Sequence, residues 1–194
     1  MTAPRSAIRQ RQTKETRVSV RLALDGAGRH EVATGLPFLD HLLRALAVHA
    51  RLDLDVKASG DLEVDAHHTV EDVALVLGEA LAEALGDRSG ITRFGDATVP
   101  LDEARAMAAL DCGGRAYAMI ELPLRGPLIG TMPATMVSHF LETFAARSGL
   151  TLHVVGTGRD DHHLAEAAFK ALARALRQAC AADATLADRV ASTK

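Results

Sequence analysis

Two short stretches, His67-His68-Thr69-Val70-Glu71 and His162-His163-Leu164-Ala165-Glu166, carry the same His-His-x-x-Glu pattern in the two halves of this chain. On an α-helix, residues four apart lie on one face, so the first histidine and the glutamate of each stretch can bind one cation together. The second histidines, His68 and His163, are rotated by about 100° and can reach a second cation or another helix. The pattern predicts two helices that begin with metal-binding side chains.

The residues around the two stretches repeat as well, which indicates an internal duplication. The segment His41-Leu42-Leu43 matches His139-Phe140-Leu141 upstream of the stretches, and apolar residues recur at equivalent positions behind them. We predict that the halves span residues 1–90 and 91–194 and form a single compact domain. Each half shows two strand patterns, a helix pattern, a strand pattern and a long helix pattern.

This order predicts the α+β fold class, with internally duplicated ββαβα-type halves and two mixed β-sheets packed on a four-helix layer. Strands are expected near 18–24, 31–34, 52–58, 106–110, 116–122 and 151–155, and helices near 37–49, 67–85, 137–147 and 162–180. The tail after position 180 has weak periodicity, so we expect it to be mobile unless a partner or ligand orders it.

Composition narrows the class of protein. Apolar residues make up 48% of the chain but aromatic residues only 3%, so Leu, Val and Ala must fill the core. The net charge of −3 and the absence of a basic tail argue against nucleic-acid binding. No apolar run is long enough to span a membrane, and the polar start is unlike a secretory signal. We therefore expect a cytoplasmic protein in which Cys112 and Cys180 stay reduced.

Eight side chains related by the repeat are candidate metal ligands: His41, His67, His68, Glu71, His139, His162, His163 and Glu166. They could instead cap helices or lie in polar networks, but duplication of the whole set favours ligands. Imidazole nitrogen and carboxylate oxygen without sulfur suit Mn²⁺, Fe²⁺, Zn²⁺, Co²⁺ or Ni²⁺. Two six-coordinate cations would leave open positions for water or a substrate nitrogen.

Several longer blocks resemble the imidazoleglycerol-phosphate dehydratase family. They are Gly35-Leu36-Pro37-Phe38-Leu39-Asp40-His41, the stretch from Asp65 to Asp72, and the stretch from Asp161 to Lys170. The segment Arg11–Thr16 and the end Ser192-Thr193-Lys194 fit the same family. The resemblance covers nearly the whole chain. It suggests the monofunctional form, because no phosphatase domain accompanies it.

The resemblance implies a lyase of histidine biosynthesis that converts imidazole glycerol phosphate to imidazole acetol phosphate and water. It also implies two Mn²⁺ ions per active site, although other divalent transition metals are possible. Metal binding would convert the substrate imidazole to an imidazolate that expels the neighbouring hydroxyl. The family further implies a homo-oligomer, a 24-mer built from trimers, with active sites at subunit interfaces.

Residue roles follow from position in the family pattern. Glu15 is the expected acid–base group, and four side chains are expected to bind the substrate phosphate: Arg93, Arg115, Lys170 and Ser192. The symmetry of the repeat suggests two ligand groups, which are His67, Glu71, His139 and His163 for one cation and His162, Glu166, His41 and His68 for the other.

Two other functions remain open at this point. A dinuclear metallohydrolase is one, although such sites usually contain more carboxylates than are found here. A non-catalytic assembly or storage protein cemented by metal ions is the other, and it would need no phosphate pocket near the metals.

Overall fold

The computed structural model describes residues 5–186 and 189–190. The first half contains four strands and two helices: β1 (Ser6–Gln12), β2 (Thr16–Ala23), β3 (His30–Ala33), α1 (Pro37–Ala50), β4 (Asp53–Gly60) and α2 (His67–Leu85). The second half contains β5 (Phe94–Leu101), β6 (Ala104–Asp111), β7 (Tyr117–Glu121), β8 (Leu128–Ile129), β9 (Met132–Pro133), α3 (Thr135–Ser148), β10 (Thr151–Thr157) and α4 (Asp161–Ala179). A 3-10 turn, Ala184–Leu186, follows α4.

The two large sheets have the same topology. Their strand orders are β1-β2-β4-β3 and β5-β6-β10-β7. In each sheet the first three strands are antiparallel, and the last pair, β3 with β4 or β7 with β10, is parallel. The α+β class with two mixed sheets and four helices is therefore confirmed, and the shared topology agrees with the duplication.

Each half begins with a strand that was not predicted. The halves are βββαβα units, one strand longer than the ββαβα pattern expected from the sequence. The missed strand β1 is an edge strand that buries only Ala7, so its sequence lacks the apolar alternation of a half-buried strand. Its counterpart β5 buries Gly95, which gives no hydrophobic signal either. The loop before α3 also contains the short hairpin β8–β9.

Other strands and helices follow local signals in the sequence. In β2, alternate residues Val18, Val20 and Leu22 are buried, as the pattern predicted. Pro37 occupies the first turn of α1, where its missing N–H costs nothing. Gly86 ends α2 with a positive φ of 58°, a conformation that glycine adopts readily.

The helices pair across the two halves. Helix α2 covers β1 and β2, and α4 covers β5 and β6, so each long helix packs on the sheet of its own half. However, α1 packs on α4, and α2 packs on α3. The core is therefore continuous between the two sheets. Many alanines in α4 are fully buried, which allows a close-packed interior despite the shortage of aromatic side chains.

The segment after α4 packs against the start of the second half. Ile91 forms an isolated β-bridge with Ala182, and Asp183 donates its N–H to the carbonyl of Gly90 at 2.9 Å. Within the described part of the chain, the model contains no helix with the length and apolar character needed to cross a membrane.

The two cysteines are free thiols, as expected, but they are buried neighbours. Hydrogen bonding to Cys180 raises the pKa of the Cys112 thiol, so Cys112 stays protonated.

Close approach of α2 and α3 requires Gly78. A Cβ atom at this position would lie 2.7 Å from Arg147 Cβ and 2.9 Å from the carbonyl oxygen of Phe144. We expect Gly78→Val to lower the free energy of unfolding by about 1–3 kcal/mol through overpacking. Thermal unfolding at fixed protein concentration measures the loss. Glu79→Ala, at an exposed position on the same helix, is the control, and equal melting temperatures for the two variants would contradict the prediction.

Candidate metal centre

At the start of each long helix, an aspartate side chain accepts the N–H of the first histidine. Asp65 accepts a hydrogen bond from the N–H of His67 at 2.7 Å, and Asp160 accepts one from the N–H of His162 at 2.8 Å. An aspartate two residues before the first histidine therefore satisfies a free N–H group of the first turn in both halves. These contacts fix the point at which the helix begins and, with it, the face on which the histidine and glutamate lie.

The first cluster consists of His67 and Glu71 from α2 and His139 from α3. One potential ligand atom from each residue lies within 4.8 Å of the other two. His139 Nε2 is 3.4 Å from Glu71 Oε1, and the rings of His67 and His139 have centroids 4.8 Å apart.

The second cluster repeats this arrangement with His162 and Glu166 from α4 and His41 from α1. Its ligand atoms also lie within 4.8 Å of one another. His41 Nε2 is 2.9 Å from Glu166 Oε2, and His162 Nε2 is 3.4 Å from the same oxygen. Phe38 packs beside these rings, with its centroid 5.1 Å from that of His162.

Both clusters therefore combine the two halves of the chain. In each, one helix supplies a histidine and a glutamate four residues apart, and a helix of the other half supplies the third side chain. Three members of each predicted ligand group come together in this way. The remaining members, His163 and His68, lie outside the clusters of the same chain.

Two buried nitrogen atoms test whether a cation suits these clusters. His41 Nε2 and His139 Nε2 are buried and have no hydrogen-bond partner among the described residues, although each lies near a carboxylate oxygen. Buried polar atoms are normally hydrogen-bonded, because leaving one unsatisfied costs free energy. A divalent cation among two imidazoles and a carboxylate would satisfy these atoms, so the residues fit a metal ion.

Glu166 is ionised in this environment. Burial opposes its charged form, but Lys170 and His41 outweigh that effect and lower its pKa to about 2. Lys170 Nζ lies 2.7 Å from Glu166 Oε1, one turn further along α4. The carboxylate is thus available as an anionic ligand, and a cationic side chain lies directly beside the second cluster.

The two remaining histidines each have a carboxylate partner at Nδ1. His68 Nδ1 lies 3.0 Å from Asp61 Oδ2, and His163 Nδ1 lies 2.9 Å from Glu103 Oε2. These hydrogen bonds raise the pKa of both imidazoles, and the bond to His163 contributes most to lowering the pKa of Glu103 to about 2.

Asp61 and Glu103 were not among the site residues predicted from the sequence. The sequence contains one weak indication for Glu103. It directly precedes β6, just as the predicted site residue Glu15 directly precedes β2. The correspondence becomes visible only once the missed strands β1 and β5 are recognised.

Glu15 lies exposed in the turn between β1 and β2. The Thr13 hydroxyl accepts hydrogen bonds from the N–H groups of Glu15 and Thr16, at 3.1 and 2.9 Å. Asp72 on α2 accepts from the Thr16 hydroxyl and from Arg11 Nε, the latter at 2.8 Å. Asp72 therefore attaches this turn to the helix that carries Glu71.

The predicted phosphate-binding residues do not come together within one chain. Arg93 is buried in a two-point ion pair with Asp111, at 2.7 and 3.0 Å. Its N–H donates to the carbonyl of Ala179, which lies 13 residues beyond Glu166 and therefore about 20 Å along α4. Arg115 is exposed after β6, and Ser192 lies outside the described residues. Among the described members of this set, Lys170 is the one that contacts a cluster residue.

The duplicated fold and its two histidine–glutamate clusters are those of a metal-dependent enzyme in which helices of both halves build each cluster. A sequence model of the family described as imidazoleglycerol-phosphate dehydratase matches residues 34–176. The chain belongs to this family, and it is therefore a dehydratase of the lyase class.

Similar proteins support the assignment along nearly the whole chain. An imidazoleglycerol-phosphate dehydratase of Methanoculleus marisnigri is 52% identical over 184 residues, covering 95% of each chain. One from Acidiphilium cryptum is 50% identical and covers 98% of this chain and 97% of its own. A crystal structure of the Staphylococcus aureus enzyme superposes with a TM-score of 0.80 at 32% identity, covering 91% of this chain and 99% of that one.

Replacement of Asp72 by Asn should destabilise the protein, because Arg11 loses its charged partner and the Thr16 hydroxyl loses an anionic acceptor. We expect a loss of about 1–3 kcal/mol in the free energy of unfolding. Urea denaturation of the metal-free protein measures this loss, with Glu79→Gln on the exposed side of the same helix as control. An unchanged urea midpoint for Asp72→Asn would show that the contact contributes nothing.

Proposed function

We propose that this protein removes water from imidazole glycerol phosphate to give imidazole acetol phosphate, a step of histidine biosynthesis, in the cytoplasm. The observation that carries the proposal is the pair of clusters, in each of which two imidazoles and one carboxylate place their potential ligand atoms within 4.8 Å of one another. Such clusters are suited to hold two cations, and the family model, which matches residues 34–176, covers all six cluster residues.

The proposed ligands are the six cluster residues together with His68 and His163, and the proposed ions are two Mn²⁺ per active site. When bound, such a cation acts as a Lewis acid that lowers the pKa of an imidazole N–H and aids loss of a hydroxyl group. The nitrogen-rich donor set also suits other divalent transition metals.

The proposed active site is shared between neighbouring chains. His68 and His163 lie outside the clusters of their own chain, so each would complete a cluster of a neighbour. Arg93 and Arg115 would likewise reach the substrate phosphate from another subunit, because Arg93 lies about 20 Å along α4 from Glu166. Lys170 and Ser192 would complete the phosphate site. A closed homo-oligomer, proposed here as a 24-mer built from trimers, would supply such contacts.

Glu15 is the proposed acid–base group. Dehydration requires removal of a carbon-bound proton next to the carbon that loses its hydroxyl, and the resulting enol becomes the ketone. An exposed carboxylate on a turn held by Thr13 and Asp72 can enter a neighbouring substrate pocket and take that proton. The exposed position of Glu15 in one chain agrees with a role across a subunit contact.

The first experiment measures turnover. The Mn²⁺-loaded protein, incubated with imidazole glycerol phosphate, should form an enolisable ketone, whereas Glu15→Gln should reduce kcat at least 100-fold while retaining bound manganese. Glu63→Gln, at an exposed acid in the loop before α2, is the matched control. An intact, metal-loaded wild-type oligomer that forms no ketone would favour a storage or assembly role instead.

The second experiment tests whether metal binding and subunit assembly are coupled. Glu71→Gln removes the anionic ligand of the first cluster, so metal content and particle size should fall together, and chelation of the wild-type protein should also shrink the particle. Elemental analysis and size-exclusion chromatography measure both properties. Full metal occupancy in a Glu71→Gln variant that has lost turnover would contradict this coupling.

A further inference from the structure

We propose that Asp61 and Glu103 are positioning residues that orient His68 and His163 for metal binding across a subunit contact. This inference rests on the proposed function, because it takes these two histidines as metal ligands. It assigns roles to two carboxylates that lie outside both metal clusters and come from different loops of the two halves.

The hydrogen bonds at Nδ1 leave Nε2 of each histidine as the nitrogen for a metal ion; exposed Asp102 Oδ2 lies 3.7 Å from His163 Nε2, beyond hydrogen-bonding distance. Asp61 places its oxygens 3.2 and 3.0 Å from His68 Nδ1, and Glu103 Oε2 lies 2.9 Å from His163 Nδ1. A carboxylate accepts hydrogen bonds, so Nδ1 carries the proton and the lone pair lies on Nε2. Metal-binding histidines commonly use their second nitrogen in this way, which fixes the ring and makes it a better ligand.

The carboxylate of Glu103 and the backbone of Asp61 are themselves held in place by hydrogen bonds. Glu103 Oε1 accepts the N–H groups of Arg159 and Asp160 at 3.1 and 2.8 Å, so one glutamate joins the β5–β6 turn, the start of α4 and His163. Asp61 follows β4, and its carbonyl accepts the N–H of Val64 at 2.8 Å in the loop leading to α2. Each acid therefore fixes the orientation of its imidazole ring relative to the helix that carries the cluster.

The two halves hold the second histidine of each His-His-x-x-Glu stretch with different loops. Glu103 directly precedes β6, and the residue directly preceding β2 in the first half is Glu15. Asp61 occupies the hydrogen-bonding position at His68 Nδ1. Asp61 thus leaves Glu15 without a structural role at this imidazole. The duplicated turns have diverged, one towards holding a ligand and the other towards the proposed acid–base chemistry.

Manganese affinity tests the inference without relying on turnover. Titration with Mn²⁺ against a competing chelator should show about 10- to 100-fold weaker binding for Asp61→Ala and for Glu103→Ala. Asp61→Asn and Glu103→Gln, whose amide oxygens can still accept the Nδ1 proton, should recover most of that affinity. Glu63→Ala is the control for removing an exposed acid near α2, and melting curves in chelator check that each variant folds.

A double-mutant cycle separates positioning from a general structural effect. In a His68→Ala background, Asp61→Ala should cause no further loss of manganese affinity, because the imidazole that it orients is absent. The same holds for Glu103→Ala in a His163→Ala background. Additive losses in both cycles would overturn the inference, as would native affinity in the two carboxylate-to-alanine variants.

The single variants His68→Ala and His163→Ala distinguish a failure of the proposed ligand set from a failure of the positioning roles. If His68→Ala and His163→Ala bind manganese as tightly as the wild type, the proposed ligand set is wrong. If the histidine variants lose affinity and the carboxylate variants do not, the ligand set stands and the positioning roles of Asp61 and Glu103 are wrong.

Discussion

Packing of helices between the two halves is the constraint on which the site depends. A histidine and a glutamate four residues apart on one helix supply two donors that face the same way, but two donors hold a transition-metal ion weakly. The third donor comes from the other half, because α1 packs on α4 and α2 packs on α3. A close approach at Gly78 allows the second of these contacts. The apolar core and the metal centre are therefore parts of one packing arrangement.

The clusters contain polar and charged groups whose burial is unfavourable in itself. His41 and His139 each bury a ring nitrogen without a hydrogen-bond partner among the described residues, and Glu166 stays ionised although burial opposes its charge. Lys170 offsets part of the negative charge of Glu166. Burying such polar atoms has a cost in free energy, and a bound cation would offset it.

Duplication gives the molecule two similar clusters, and divergence of the loops gives the surrounding residues separate tasks. The sheets, the helices that carry the clusters and the hydrogen bonds that Asp65 and Asp160 accept from the first histidine are repeated closely. The turns before β2 and β6 are not: Glu103 contacts His163 and the start of α4, whereas Glu15 stays exposed. Repeated scaffolds tolerate such changes because loop residues alter function without disturbing the core.

The sequence by itself determined the helices, the inner strands and the repeat, and it indicated the six side chains that meet in the two clusters, because periodicity and spacing are local properties of the chain. It missed β1 and β5, since a polar edge strand and a strand with an inward glycine carry no apolar alternation. Only the tertiary structure decided which third donor joins each pair, that Arg93 lies far from the clusters of its own chain, and that Asp61 and Glu103 contact the outer histidines. These relations join residues distant in sequence, and the packing of helices and loops brings them together without leaving a pattern in the chain.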